Sequence, residues 1–180
     1  MLYSTGNSHL LSAILTRNAG RTTLELAQDW IGRPLAIKIG PWQRDPQGIY
    51  FGGNNMLLSP HALLRFGELY RNGGLRRGKR ILPAEWVRTS WTPRTHSRFS
   101  DDGYGYGWFI AKFCGHTVNY ARGFGEQFIH VVPSLGLTVV ITSETTTRTR
   151  GGGYRDALTA LIEAHIIPAA VKADGGMCGA

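Results

Sequence analysis

Residues 119–142 read NYARGFGEQFIHVVPSLGLTVVIT, and the fold is decided by how this stretch is read. An Arg122-Gly123-Phe124-Gly125 run opens into an apolar alternation at Phe128, His130 and Val132. Pro133-Ser134-Leu135-Gly136 follows, and then a second β-branched run, Leu137 to Thr142. Two short β-rich runs joined by a Pro/Gly turn predict a β-hairpin. Glycines at the start of a strand let another group approach the backbone. In a sheet enzyme that group is often substrate; the plainer reading is a hairpin with a glycine bulge.

Upstream of the hairpin, Thr117 to Ala121 and the aromatic run Tyr104 to Phe113 predict two more strands, which makes an antiparallel meander. A polar loop over 92–102 precedes them. Downstream, Ala157, Leu158, Leu161, Ile162 and His165 share one face of a helix predicted over Tyr154 to Ile167, and a frayed tail is expected beyond it. The N-terminal half reads as helices and loops. Leu10, Leu11, Ile14 and Leu15 have helical spacing and Gly20 is a stop. Thr22 and Thr23 can cap a second helix with Glu25 or Gln28 in its early turns, ending at Gly32-Arg33-Pro34. A short strand fits Ile49 to Phe51. Ser59-Pro60 supplies a cap and a proline at the first helical position, and Asn72-Gly73-Gly74 stops that helix. Leu82-Pro83 opens a short helix through Ser90. One antiparallel sheet with helices on its faces is an α+β arrangement.

At 180 residues and 42% hydrophobic, the chain suits one domain with a real core. No apolar run reaches about 18 residues, so no membrane span is expected. The N-terminus shows no basic region followed by an apolar one, so no signal peptide is visible and the compartment stays open. Cys114 and Cys178 lack metal spacing. The net charge is +8, much of it in Arg71, Arg76, Arg77, Lys79 and Arg80 and in Arg148 and Arg150. No aromatic residue is interleaved in the 71–80 cluster to stack a base, which argues against a nucleic-acid partner.

Gly73 to Lys79, GGLRRGK, has the spacing of a phosphate-cradling P-loop, but it follows a helix, and Arg80 stands where Ser or Thr is needed. It reads as coincidence. There is no HExxH pair and no Gly-x-Ser-x-Gly elbow. His61 and His165 fall on helices and His130 in a strand, each expected to be packed or at the surface. Tyr3 precedes the first helix; a tyrosine serves as a general base only where a cation lowers its pKa from about 10.

In order and spacing these pieces resemble the serine β-lactamase-like hydrolases: class C β-lactamases, penicillin-binding proteins, and related esterases and 6-aminohexanoate-dimer hydrolases. Tyr3-Ser4 to Leu10-Leu11 is similar to the family's Tyr-x-Asn segment and the helix after it. Gly32-Arg33-Pro34-Leu35 is similar to its PLG loop. Gly52-Gly53 to Ser59, then Gly78 to Pro83 with Trp86-Val87, resembles its helical middle. Tyr104 to Trp108 resembles the first strand of its C-terminal sheet. Ala121 to Gln127 falls where the family carries Lys-Thr-Gly, and matches best the branch with RGxGGQ there.

The resemblance implies a β-lactamase/transpeptidase-like α+β fold, an antiparallel sheet flanked by helices. It implies that residues 1–180 are the C-terminal portion of one such domain, with the N-terminal strands and nucleophile helix missing. The helical part would span about 1–100, the sheet and terminal helix about 101–168, and a tail 169–180. In the family a serine of Ser-x-x-Lys forms an acyl-enzyme with an ester or amide, without a cofactor or metal. By resemblance Tyr3 is the general base and the Phe124 N–H an oxyanion donor. Arg122, Gly123 and Asn7 are then substrate-binding. No serine here has a lysine three residues on, Thr5 stands where Asn is usual, and Ala121 where Lys or His is usual. The chain alone is therefore expected to be inactive toward its small-molecule substrate, because members of such a catalytic unit act together. A noncatalytic ligand- or partner-binding domain of the same fold is the alternative; a basic nucleic-acid-binding module ranks third. Oligomeric state is not legible.

Overall fold

Caps that the sequence supplies begin the helices. Ser59 lies extended before α4 (Pro60–Arg71), and its hydroxyl accepts from the Ala62 N–H at 3.2 Å. Pro60 occupies the first turn, where a missing N–H costs nothing. Thr22 and Glu25 form a reciprocal capping box at α2 (Thr23–Ala27), at 3.2 and 2.8 Å. The structure, a computed structural model, describes residues 4–98, 100–145 and 153–176.

The second helix does not end at Gly32-Arg33-Pro34. It widens into a π turn (Gln28–Gly32) and continues as α3 (Arg33–Leu35), stopping at Ala36 in the left-handed region, φ 48°. Pro34 is tolerated because it falls in the first turn of α3. Asp29 pairs with both Arg21 and Arg33 across the turn. Ile49 to Phe51 forms no strand; Arg44 and Tyr50 make a lone bridge across a turn in which the Asp45 carboxylate accepts from the Gln47 and Ile49 N–H groups. The GGLRRGK run is a hairpin, β1 (Leu75–Arg76) against β2 (Lys79–Arg80). Its two turn residues, Arg77 and Gly78, have φ 47° and 76°, the positive pair of a type I′ turn.

The main sheet is a six-stranded antiparallel meander in sequence order, larger than the three or four strands expected. Its members are β3 (Thr95–His96), β4 (Gly103–Tyr104), β5 (Phe109–Phe113), β6 (His116–Gly123), β7 (Gln127–Val132) and β8 (Leu137–Ile141). Tyr104 to Phe113 is not one strand: β4 turns back onto β5, with Gly103 opposite Ile110. Gly105 allows this, since a Cβ there would lie 2.1 Å from the Ser90 carbonyl oxygen. Between β7 and β8, Pro133–Leu135 makes one 3₁₀ turn closed by Gly136 at φ 55°.

Strand alternation divides the sheet's residues between two faces. Ala121, Ile129, Val131 and Val140 meet α4 and α5 (Ala84–Ser90) through an aromatic cluster around Trp108, whose ring lies 4.7 Å from Tyr70 and 5.9 Å from Trp91. Gly67 brings α4 close: a Cβ there would come within 2.8 Å of Thr138 and Ile129 methyls. On the other face Val118, Val132, Val139 and Ile141 meet Ile162, Ile167 and Val171. These belong to a terminal helix that runs as α6 (Gly153–Leu161), a π turn (Ile162–Ile166) and α7 (Ile167–Ala173). The frayed tail expected from 168 is helical to Ala173, because Ile167 and Val171 are buried in the core beneath the sheet and hold that turn in place.

α1 (Thr5–Ala19) is built inside out. Its buried side is polar: the Ser12 hydroxyl donates to the Tyr50 carbonyl at 2.7 Å, and His9 Nε2 lies 2.9 Å from Asp45 Oδ2. Gly52 and Gly53 lie against its first turns; a Cβ on Gly52 would fall 2.1 Å from the Ser8 carbonyl oxygen. Leu10, Leu11, Ile14 and Leu15 face outward, 59%, 62%, 45% and 41% exposed. No described helix is long and apolar enough to cross a membrane.

Candidate functional site

Strand β6 ends in Ala121-Arg122-Gly123, and a three-residue turn, Phe124-Gly125-Glu126, returns the chain to β7 with Gly123 opposite Gln127. Gly125 and Glu126 both have positive φ, 73° and 61°. A glycine is required at 125, because a Cβ would lie 2.8 Å from the Thr145 methyl. Glu126 takes this conformation without being glycine, which costs about 1–2 kcal/mol. Two charge-assisted hydrogen bonds offset it: Arg122 Nε and Nη2 donate to the Glu126 carboxylate at 2.9 and 2.6 Å. Gln127 ties the turn to the end of β8, its Nε2 donating to the Gly125 and Ser143 carbonyls at 3.0 and 2.7 Å and its Oε1 accepting from the Ser143 N–H. The Tyr154 hydroxyl donates to Ser143 Oγ at 3.0 Å.

The turn thus has a braced frame and a bare tip. Phe124 is 86% exposed, and its N–H meets no acceptor among the described residues. Arg122 is not a loose cation: its charge is matched by a carboxylate whose side chain is 5% exposed. Sequence reasoning missed Glu126, Gln127 and Ser143 as parts of this frame; the four-residue spacing of Arg122 and Glu126 was the available signal.

Tyr120 follows on the face that meets the terminal helix. Its hydroxyl donates to Asp102 Oδ2 at 2.6 Å, and burial together with that carboxylate raises its pKa. It keeps its proton and is unsuited to act as a base. His130 lies opposite it, buried and ring-stacked on both Tyr120 (5.6 Å) and Phe128 (5.1 Å). Burial lowers its pKa to about 4, and its Nδ1 has no partner among the described residues. It is a packed neutral histidine.

Arg122, Gly123 and Phe124 are brought together by the turn. Asn7 stands on a different element, in the first turn of α1, where its N–H donates to the Ser4 cap at 3.3 Å. Tyr3 lies outside the described residues, as do Cys178, Arg148 and Arg150. No group of three or more His, Cys, Asp or Glu among the described residues is placed to hold a metal ion.

A helix layer, an antiparallel sheet and a terminal helix, with an open strand-end turn, define a β-lactamase/transpeptidase-like fold. The Beta-lactamase family model matches residues 1–164, and the chain belongs to that family. Among solved structures it is similar to a protein described as a 6-aminohexanoate-dimer hydrolase from Bacillus anthracis. That likeness has a TM-score of 0.78 at 17% identity and covers 98% of this chain and 45% of that one. A penicillin-binding protein homolog from Caulobacter crescentus matches with a TM-score of 0.61 at 16% identity, covering 77% and 52%. A β-lactamase-type protein from Bacteroides dorei matches with a TM-score of 0.54 at 16% identity, covering 73% and 47%. The chain spans about half the length of these structures. No curated protein matches it.

Proposed function

We propose that these residues form the C-terminal portion of a single Beta-lactamase-family domain whose whole hydrolyses an ester or amide through an acyl-serine intermediate. The observation that carries the reading is the β6–β7 turn. A backbone N–H without an acceptor among the described residues, on a turn braced by Arg122, Glu126 and Gln127 at the end of a sheet strand, suits an oxyanion donor, because it is positioned before charge develops. Family membership over residues 1–164 supports the same assignment. Phe124 then donates through its N–H, and Gly123 lets the substrate carbonyl approach. Arg122 holds the turn and lends its partly exposed edge to substrate. Asn7 binds substrate from the first turn of α1, and Tyr3 takes the proton from the nucleophile. With Ala121 in place of Lys or His, the site lacks a carboxylate clamp of the penicillin type, which favours an uncharged ester or amide.

The nucleophile must come from outside residues 1–180, since no serine here has a lysine three residues on. A fluorophosphonate probe should therefore label the native-length protein on a serine outside this stretch and leave the isolated 180 residues unlabelled. Labelling of a serine within residues 1–180, or none in the native-length protein, sinks the reading.

One observation favours the second reading, a noncatalytic partner-binding domain: the outward apolar stripe of α1. In the first reading the rest of the domain covers it. In the second another polypeptide does, and the protein isolated from its source has a mass of 19.8 kDa.

A further inference from the structure

The basic hairpin that follows α4 has no part in the proposed chemistry, yet it lines an open groove of about 460 Å³. Arg65, Glu68 and Asn72 lie on one edge of α4, and Arg76, Arg77 and Gly78 face them from the hairpin. Three cations and one carboxylate line the groove. The carboxylate, Glu68, is already claimed: Arg71 Nε and Nη2 donate to it at 2.8 and 2.5 Å. Arg65, Arg76 and Arg77 form no ion pair among the described residues. Arg65 spends one nitrogen on the Ala36 carbonyl.

The second observation is an orphan. Arg76 Nη1 is buried and has no hydrogen-bond partner among the described residues. A buried charged donor left unsatisfied is costly. Burial together with the neighbouring Arg65 and Arg77 charges also disfavours the charged form of Arg76. Three unneutralised guanidinium groups around one groove, one with a buried unspent donor, call for a multivalent oxyanion, because guanidinium forks match such oxygens geometrically. The P-loop spacing of Gly73 to Lys79 is incidental, since the run is a two-residue-turn hairpin and its side chains, rather than a backbone cradle, face the groove.

We propose that the α4–β1 groove is a binding site for a small multivalent oxyanion of the phosphate type, held by Arg76 and Arg77 with Arg65 at its rim. The site is independent of the hydrolase reading, and either stands if the other falls.

The test is calorimetric titration of the native-length protein with inorganic phosphate at low ionic strength. Arg76→Gln and Arg77→Asn should each weaken binding about tenfold or more, the value of one charge-assisted hydrogen bond. Arg88→Gln, in which the lost arginine pairs with Glu85 on α5, should leave binding unchanged. If Arg76→Gln melts without cooperativity, Arg77→Asn still decides, because Arg77 is exposed and asparagine tolerates its left-handed backbone. Citrate that displaces phosphate through the same arginines supports the site and widens its ligand to polycarboxylates. Absence of phosphate binding, equal affinity in all variants, or binding to duplex DNA alone overturns the proposal.

Discussion

Arg122→Ala should lower the unfolding free energy by about 3 kcal/mol, the low end for breaking a buried ion pair. The reason lies in its partner more than in Arg122 itself. The Glu126 side chain is 5% exposed and both its carboxylate oxygens accept from Arg122. Without the guanidinium, a largely buried carboxylate is left unpaired on a backbone that already sits at φ 61°. The low end applies because Arg122 keeps 33% of its side chain in water, so solvent can reach the vacancy. The double variant R122M/E126L removes both charges and should recover most of the loss, since replacing a whole buried pair with apolar residues is often neutral. Urea melts of R122M, E126L and the double close the cycle. A loss for Arg122→Ala below about 0.5 kcal/mol, within the range of ordinary surface changes, would show that the pair does not brace the turn.

Acid should destabilise the protein through His130 before its carboxylates protonate. The unfolded histidine titrates near 6.5 and the folded one at about 4. Between those values the unfolded chain binds the extra proton, so stability falls as pH falls. The contribution is fully present above about 6.5 and is gone below about 4, a total of about 3 kcal/mol at 1.36 kcal/mol per unit. Asp29, Asp45 and Glu68 have pKa values lowered by their partners, so their losses come at lower pH. His130→Phe keeps a ring between Tyr120 and Phe128 and should flatten the slope from pH 6.5 to 4. An unchanged slope in that variant would refute the assignment.

Much of this was legible in the chain. Ser59-Pro60 and Thr22-x-x-Glu25 announce their helices because capping is local chemistry. The 119–142 hairpin follows from alternation and a Pro/Gly turn. The misreadings share a cause: a signal that means one thing alone was overridden by packing. Gly32-Arg33-Pro34 reads as a stop, but the π turn lets Pro34 fall at a new helix start. Tyr104 to Phe113 reads as one strand, but Gly105 has to pass the Ser90 carbonyl. Leu10, Leu11, Ile14 and Leu15 have the spacing of a core face, yet face outward while Ser12 and His9 face in. At the site, periodicity located the turn but not its brace, since an ion pair across a turn is a matter of side-chain reach. The resemblance, not the residue pattern, supplied the roles.

The meander has a kinetic consequence. Every strand of the main sheet pairs with its sequence neighbour, and each of the three pairings from β5 to β8 closes a short turn. Loop closure there costs little, whereas α4 reaches β7 and β8 only across the intervening hairpins and α5. The four-stranded ribbon should therefore form first and serve as the template on which the helices condense. Pulsed hydrogen exchange during refolding should protect the Val118 and Val131 amides ahead of those of Leu69 and Tyr70; simultaneous protection would mean that the ribbon cannot persist until its helices arrive.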